Sequence, residues 1–255
     1  MNLISMLRAV LCSIVLMSST AQASSIDQQD FNQMLLNAFR EDPQLLLEGV
    51  RQVQKYQSEL KREQQEVALR KVSKSLYYDE DSPVFNPDGE ITVVEFFDYM
   101  CGVCKRVSPE MKRLIESDQR VRFVYKDVSI LGPTATQMSK YAIAVSKLEP
   151  SKYPAFHYEL MGMRQPSEES ALKLASLLDI DAQALKQMAQ SQEVASILQK
   201  NNQLFNDLQL TGTPTIFVGK KKFPGAVGYS TLIGEVNAQY EALIKQQNAQ
   251  AVNAR

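Results

Sequence analysis

Two compact runs of β-branched and aromatic residues mark the start of a folded domain. The runs are ITVVEFF at residues 91–97 and VRFVYK at residues 121–126, and both are typical of buried parallel strands. Residues of helical character lie between them, from Lys105 to Glu116. The pattern therefore predicts a β-α-β unit.

Helical spacing of apolar residues dominates the next part of the chain, from about residue 134 to 208. Strand character returns at residues 215–218 and, briefly, at 222–224. A last helix is predicted from Ser230 to about Gln246, with a flexible tail over 248–255. We expect an α/β catalytic domain over residues 90–247 that contains a helical insertion.

The segment before this domain has a different pattern, over residues 24–75. Pro43 follows two acidic residues and suits the first turn of a long helix. In that helix one stripe repeats at alternating spacings of four and three, the period of a coiled-coil seam. The stripe consists of Leu46, Val50, Val53, Gln57, Leu60, Gln64 and Val67. We predict an oligomerisation arm that forms a homo-oligomer, a dimer or a trimer; the alternative is an arm folded back onto its own domain.

Turn-forming residues separate the arm from the domain. Residues 76–89 contain DEDSP and NPDG, which interrupt the helical pattern. This segment is predicted to be a linker.

The first 23 residues have the features of a secretory signal peptide. Arg8 precedes an apolar run over residues 9–17, and Ala21-Gln22-Ala23 has the small-x-small form of a cleavage site. A membrane anchor is the alternative, but a spanning helix needs about 20 apolar residues. We expect export with cleavage after Ala23.

Charge argues against one class of partner. The chain has 28 basic and 29 acidic residues and a formal net charge of -1. It also lacks a concentrated basic stretch that could follow a phosphate backbone. Nucleic acid is not an expected partner.

Two cysteines carry the candidate chemistry, since cleavage would remove Cys12. Cys101 and Cys104 form a Cys-x-x-Cys motif between a predicted strand and a predicted helix. At a helix N-terminus, unpaired N–H groups stabilise a thiolate. We expect Cys101 to be the nucleophile, and Cys104 to resolve the mixed disulfide by attacking the Cys101 sulfur.

Other interpretations of the cysteines are weaker. A zinc site would need two more ligands, and His157 is the single histidine of the chain. A structural disulfide across four residues would stabilise the fold little. Copper handling by Met161 and Met163 near His157, or a chaperone with incidental cysteines, is the alternative function. We expect neither a metal nor a cofactor.

Several motifs together resemble the DsbA-like proteins of the bacterial periplasm, over roughly residues 80–245. They are EFFDYMCGVC at residues 95–104, the helical insertion, and GTPT at residues 212–215. The resemblance implies a thioredoxin fold with an inserted helical domain. It also implies that Pro214 is a cis-proline facing the cysteines and that Thr213 binds substrate peptides through its backbone. Glu95 matches the family's buried acid, a proton relay for Cys104; an ordinary hydrogen-bonded carboxylate at the strand end is an equally good interpretation.

One departure bears on the direction of the reaction. DsbA-type oxidants usually carry Pro-His between the cysteines, whereas this chain has Gly102 and Val103. Without an imidazole the Cys101 thiolate is expected to be less stabilised and the protein a weaker oxidant. A glycine followed by a bulky residue resembles DsbC-type isomerases, and EDPQLLL at residues 41–47 resembles the oligomerising stalk of ScsC-like proteins.

These resemblances favour a periplasmic isomerase over an oxidase. The partners they imply are exported proteins with thiols or disulfides, a membrane redox protein that re-oxidises or reduces the cysteine pair, and further copies of the chain.

Overall fold

A computed structural model describes residues 27–253. The predicted signal peptide and its cleavage site at Ala23 lie outside the described residues. The chain divides into two compact units between Leu60 and Lys61. Each unit is described by itself.

The first unit consists of helix α1, Gln28–Glu41, and the first part of helix α2, Pro43–Tyr77. Asp42 separates the two helices, and its carboxylate accepts a hydrogen bond of 2.9 Å from the N–H of Gln44. A donor of the first turn is thereby satisfied. The long helix begins at Pro43, as its position in the sequence predicted.

The seam predicted on α2 is exposed. Its apolar members Leu46, Val50, Val53 and Leu60 have exposed fractions between 41% and 55%. Leu45 and Leu47 beside them are also exposed. The helix thus presents a continuous row of apolar side chains. Isolated apolar residues on a protein surface would not form such a row.

The second unit is built on a five-stranded mixed sheet. Its strands are β1, Val84–Phe85; β2, Ile91–Phe97; β3, Val121–Asp127; β4, Thr215–Val218; and β5, Lys221–Pro224. Their order across the sheet is β1-β3-β2-β4-β5. Strands β2 and β3 are parallel, and the other neighbouring pairs are antiparallel. The predicted strands over 91–97 and 215–218 are confirmed.

Helices fill the connections between the strands. They are α3, Gly102–Ser117; α4, Pro133–Leu148; α5, Tyr153–Gly162; α6, Glu168–Leu177; α7, Ala182–Ala189; α8, Gln192–Asp207; and α9, Tyr229–Asn253. Helix α3 makes the crossover from β2 to β3, and α4 to α8 form the helical insertion before β4. This is the thioredoxin fold with an inserted helical domain that the sequence indicated.

The sheet has a buried core on each face. On one face, Val93 and Phe97 of β2 pack with α3 and the inserted helices. On the other, Val94 and Phe96 pack with residues of α8 and with Leu69 from the end of α2. Alternation of β2 between two cores explains why apolar residues occupy both faces of the strand.

The predicted linker over 76–89 needs a correction. Leu76 is fully buried, and β1 within this segment pairs antiparallel with β3. A two-residue strand is too short to show an alternating pattern, so periodicity could not predict it. These residues therefore belong to the folded unit.

The predicted tail also differs from the structure, because α9 continues through residues 248–253. The end of the chain is rich in alanine and glutamine, which are good helix formers. No helix among residues 27–253 is long and apolar enough to cross a membrane.

A buried ion pair holds the segment after α2 against the sheet. Lys126 of β3 is fully buried, and its Nζ donates to Asp79 Oδ2 at 2.8 Å. Lys200 of α8 lies 3.5 Å from the other oxygen of Asp79. A buried ammonium requires such a partner, since the uncompensated charge would be costly.

Asp79→Asn is expected to destabilise the protein by about 3–5 kcal/mol, because the variant leaves the Lys126 charge buried without its counter-ion. Urea unfolding followed by circular dichroism measures the loss. Glu116→Gln is the control, since Glu116 makes an exposed pair with Lys112 at 3.8 Å and should cost at most about 1 kcal/mol. Equal losses in the two variants would contradict the role given to the buried pair.

Candidate active site

The two cysteines lie at the start of α3, directly after β2. Cys101 is the N-cap residue of the helix, and its sulfur accepts a hydrogen bond of 3.4 Å from the N–H of Cys104. The N–H of Cys101 in turn donates to the carbonyl of Asp98 at 3.0 Å. The end of a buried strand and the first turn of a helix thus fix the position of the Cys101 sulfur.

The two sulfurs differ in accessibility. Cys101 is 7% exposed, Cys104 is fully buried, and both are free thiols. An external reagent or a client disulfide can therefore reach Cys101 more readily than Cys104.

The pKa of Cys101 is lowered to about 5. The main cause is the hydrogen bond with the Cys104 thiol, and the backbone N–H groups of Cys104 and Val103 add to it against the opposing effect of burial. A side-chain hydrogen bond with Thr213 also lowers the pKa of Cys101. The donors prevail, so the thiolate is stabilised although no imidazole lies between the cysteines.

Cys104 responds in the opposite direction. Its hydrogen bond to Cys101 and its burial raise the pKa of the Cys104 thiol well above the usual range. At neutral pH the site therefore holds one thiolate and one protonated thiol.

The loop before β4 completes the surroundings of Cys101. The Thr213–Pro214 peptide bond is cis, the geometry that the sequence resemblance implied. The Cys101 thiol donates to the Thr213 carbonyl at 3.2 Å. Pro214 precedes β4, which pairs with β2, so the sheet itself brings this loop to the cysteines.

Glu95 lies on β2 below the cysteines and is 3% exposed. Burial, followed by the nearby Cys101 charge, raises the pKa of its carboxyl to about 8. No hydrogen bond is among the causes of this shift. The two interpretations of Glu95, a proton relay for Cys104 and a hydrogen-bonded carboxylate at the strand end, stay predictions.

Sequence reasoning gave no role to two further buried acids. Asp98 is fully buried directly after β2, and Asp127 ends β3 with 1% exposure. Neither carboxyl oxygen of Asp127 has a hydrogen-bond partner within residues 27–253, and burial raises the pKa of its carboxyl to about 8. An aspartate at the end of an apolar strand, next to the cysteine motif, was the available signal for Asp98.

His157 lies in an aromatic cluster on the same side of the sheet. Its Nδ1 is 2.9 Å from the hydroxyl of Tyr99, and its ring stacks on Tyr153 at 5.7 Å. Burial lowers the pKa of the imidazole to about 3. Residues 27–253 contain no group of three or more His, Cys, Asp or Glu side chains that could hold a metal ion. The structure thus gives His157 a packing role.

A groove of about 660 Å³ lies along α3. Val107, Glu110 and Arg113 line it from the helix, and residues 226–230 line the other wall. The second wall is connected to the Thr213–Pro214 loop, because the N–H of Gly225 donates to the Pro214 carbonyl at 2.8 Å.

Comparison with known proteins places these features in a family. The family described as DSBA-like thioredoxin domain matches residues 92–237, which include both cysteines and Pro214. The chain belongs to the DsbA-like family. It is accordingly a thiol-disulfide oxidoreductase of that family.

Individual relatives agree with this assignment. Disulfide bond formation protein D of Bacillus subtilis is 27% identical over 157 residues, which are 57% of this chain and 70% of that protein. A thioredoxin-like oxidoreductase from Silicibacter pomeroyi is 35% identical, with a TM-score of 0.62, and the match covers 66% of this chain and 97% of that one. The catalytic domain of Proteus mirabilis ScsC is 27% identical, with a TM-score of 0.62, over 68% and 96% of the two chains.

In the reduced DsbA-like protein, Cys101 should be alkylated by iodoacetamide with half-maximal rate near pH 5, because its thiolate persists down to that pH. Mass spectrometry of the quenched protein should place the label on Cys101 and leave Cys104 unmodified. A midpoint near the usual cysteine pKa, or equal labelling of both thiols, would contradict the geometry of the site.

Proposed function

We propose that this DsbA-like protein is an oligomeric periplasmic protein-disulfide isomerase, with oxidase activity from the same site. The observation that carries the proposal is the pair of unlike sulfurs, a stabilised and reachable one at Cys101 and a buried protonated one at Cys104. In such a pair, Cys101 can attack a client disulfide, and Cys104 can then release the client from the mixed disulfide.

The reaction begins with the Cys101 thiolate. Its sulfur attacks one sulfur of a client disulfide, a new S–S bond forms, and the client's second sulfur leaves as a thiolate. In isomerisation, another client thiolate then attacks the mixed disulfide and regenerates the Cys101 thiolate. No net electrons are transferred in that cycle.

The alternative outcome uses Cys104. Its thiol loses a proton and its sulfur attacks Cys101, which releases the reduced client and leaves a Cys101–Cys104 disulfide. Oxidation is the reverse sequence, in which this disulfide takes two electrons from a client dithiol. The membrane redox partner proposed from the sequence would restore the starting state.

Glu95 is proposed to move the proton of Cys104. A carboxyl with a pKa of about 8 is close to the working pH, so it can accept a proton and release it again. Its negative charge also acts on the Cys104 thiol. An apolar residue at position 95 would remove the acceptor from a site that water reaches poorly.

Client binding is proposed at the Thr213–Pro214 loop and the adjoining groove. The carbonyl of Thr213 contacts the Cys101 sulfur at 3.2 Å, so a peptide lying along this loop would bring its own sulfur to Cys101. Exported proteins with wrongly paired cysteines are the proposed clients. The location in the periplasm rests on the sequence of the first 23 residues.

The exposed apolar row on α2 supports the proposed homo-oligomer. A stripe of alternating spacings of three and four buries itself against another helix of the same kind. Gln57 and Gln64 within the seam would weaken the contact and help to set its register. The oligomer would place several active sites around a shared space. Such an arrangement would suit an isomerase that holds a misfolded client.

The wild-type protein should restore activity to scrambled ribonuclease, and Cys101→Ser should abolish this, because no other described thiolate can attack. Cys104→Ser should keep part of the isomerase activity but lose oxidase activity on reduced ribonuclease. A Cys101→Ser variant with full activity would exclude the proposed mechanism.

The oligomer is tested in the full-length chain by the double variant Val50→Glu and Val53→Glu, which places charges in the seam. Light scattering after gel filtration should show a lower mass, and isomerase activity should fall several-fold while the alkylation rate of Cys101 stays constant. Lys55→Glu and Ser58→Glu lie outside the seam on the same helix and are the matched control. A wild-type mass equal to one chain would contradict the proposed assembly.

A further inference from the structure

Asp98 connects three segments around the cysteines. Its Oδ1 accepts from the N–H of Met100 at 2.7 Å, in the turn that carries Cys101. Its Oδ2 accepts from the N–H groups of Ile130 and Leu131 at 3.0 and 3.1 Å, in the loop after β3. One fully buried carboxylate therefore holds the end of β2, the cysteine turn and the loop after β3 together.

The backbone of the same residue reaches both cysteines. Its carbonyl accepts from the Cys101 N–H at 3.0 Å, and its backbone acts to lower the pKa of the Cys104 thiol. A substitution of the Asp98 side chain is consequently expected to change the surroundings of both sulfurs.

Charge couples Asp98 to its surroundings as well. Burial and the Cys101 thiolate raise the pKa of the Asp98 carboxyl, while its N–H donors act in the opposite direction. The Asp98 charge also raises the pKa of a second acid, Asp127 on β3. Lys105, one residue after Cys104, is a basic group that interacts electrostatically with Asp98 and both sulfurs, while its Nζ donates to the Met163 carbonyl.

Coupling between two ionisable groups is reciprocal. If the Cys101 thiolate disfavours the Asp98 carboxylate, the carboxylate must disfavour the thiolate by the same free energy. The N–H donors around Cys101 stabilise the thiolate, and the carboxylate limits that stabilisation.

We propose that Asp98 is a positioning residue whose charge sets the oxidising strength of the Cys101–Cys104 pair. It holds the turn that carries Cys101 and, as an anion beside the sulfur, keeps the reduced form less stable than the helix start alone would make it. The inference rests on the proposed function, because it concerns the same exchange reaction.

The first test compares Asp98→Asn with Asp98→Glu in the full chain. Asparagine removes the charge, whereas glutamate keeps it and disturbs the hydrogen bonds. The equilibrium with glutathione should shift toward the reduced pair by about three- to tenfold in Asp98→Asn, with little shift in Asp98→Glu. The alkylation midpoint of Cys101 should move to lower pH in the asparagine variant alone.

Asp118→Asn is the matched control. Asp118 caps the other end of α3 and accepts from the N–H of Arg120 at 3.0 Å, the same local contact that Asp98 makes with Met100. It should leave the glutathione equilibrium unchanged. Equal shifts in Asp98→Asn and Asp98→Glu, or no shift in either, would show that Asp98 is structural only and would overturn the proposal.

A second measurement needs no substitution, should Asp98→Asn fail to fold. Carbon-13 NMR of the Asp98 carboxyl in the wild-type protein should give a higher pKa in the reduced state, where the thiolate is present, than in the disulfide state. Equal titration in both states would overturn the proposal. If instead the wild-type cysteine pair does not exchange with glutathione at all, the proposed function fails before Asp98 is tested.

Discussion

The sulfur of Cys101 depends on a few hydrogen-bond donors at the first turn of α3. These donors have no partners within the helix. A thiolate is their natural acceptor. The position of β2, the short turn at Asp98 and the loop at Thr213 all serve to hold this sulfur beside the donors.

The thiolate of Cys101 is stabilised without an imidazole between the cysteines. With Gly102 and Val103 in the motif, it is expected to be less stabilised than in DsbA-type oxidants, and this comparison stays a prediction. The structure lowers the pKa of Cys101 to about 5 through the Cys104 thiol, a side-chain hydrogen bond with Thr213 and backbone N–H groups. Of these, the backbone N–H groups are present in any helix that begins at such a motif, whichever two residues lie between the cysteines.

Much of the fold and the site could be predicted because the sequence signals are local. The compact β-branched and aromatic runs identified β2 and β3, and Pro43 marked the start of α2. The roles of Asp98 and Asp127 depend on the loop after β3 and on the pairing of two strands, which spacing along the chain does not reveal. Strand β1 was missed for the same reason, since its two residues become a strand only by pairing with β3.

The active site and the residues that pack against the end of α2 lie on opposite faces of the sheet. The cysteines and Glu95 lie with the aromatic cluster on one face, whereas the end of α2 packs on the other, where Leu69 belongs to the second core. A substitution in the second core would therefore alter stability before it altered the reactivity of Cys101.

Trapping of the mixed disulfide tests the role of Cys101 most directly. A Cys104→Ser variant mixed with a peptide that contains a disulfide should accumulate a covalent adduct, and tandem mass spectrometry should locate the peptide on Cys101. The adduct should disappear on addition of dithiothreitol. Absence of an adduct at Cys101, with the folded variant and the peptide in excess, would contradict the assignment of this sulfur as the nucleophile.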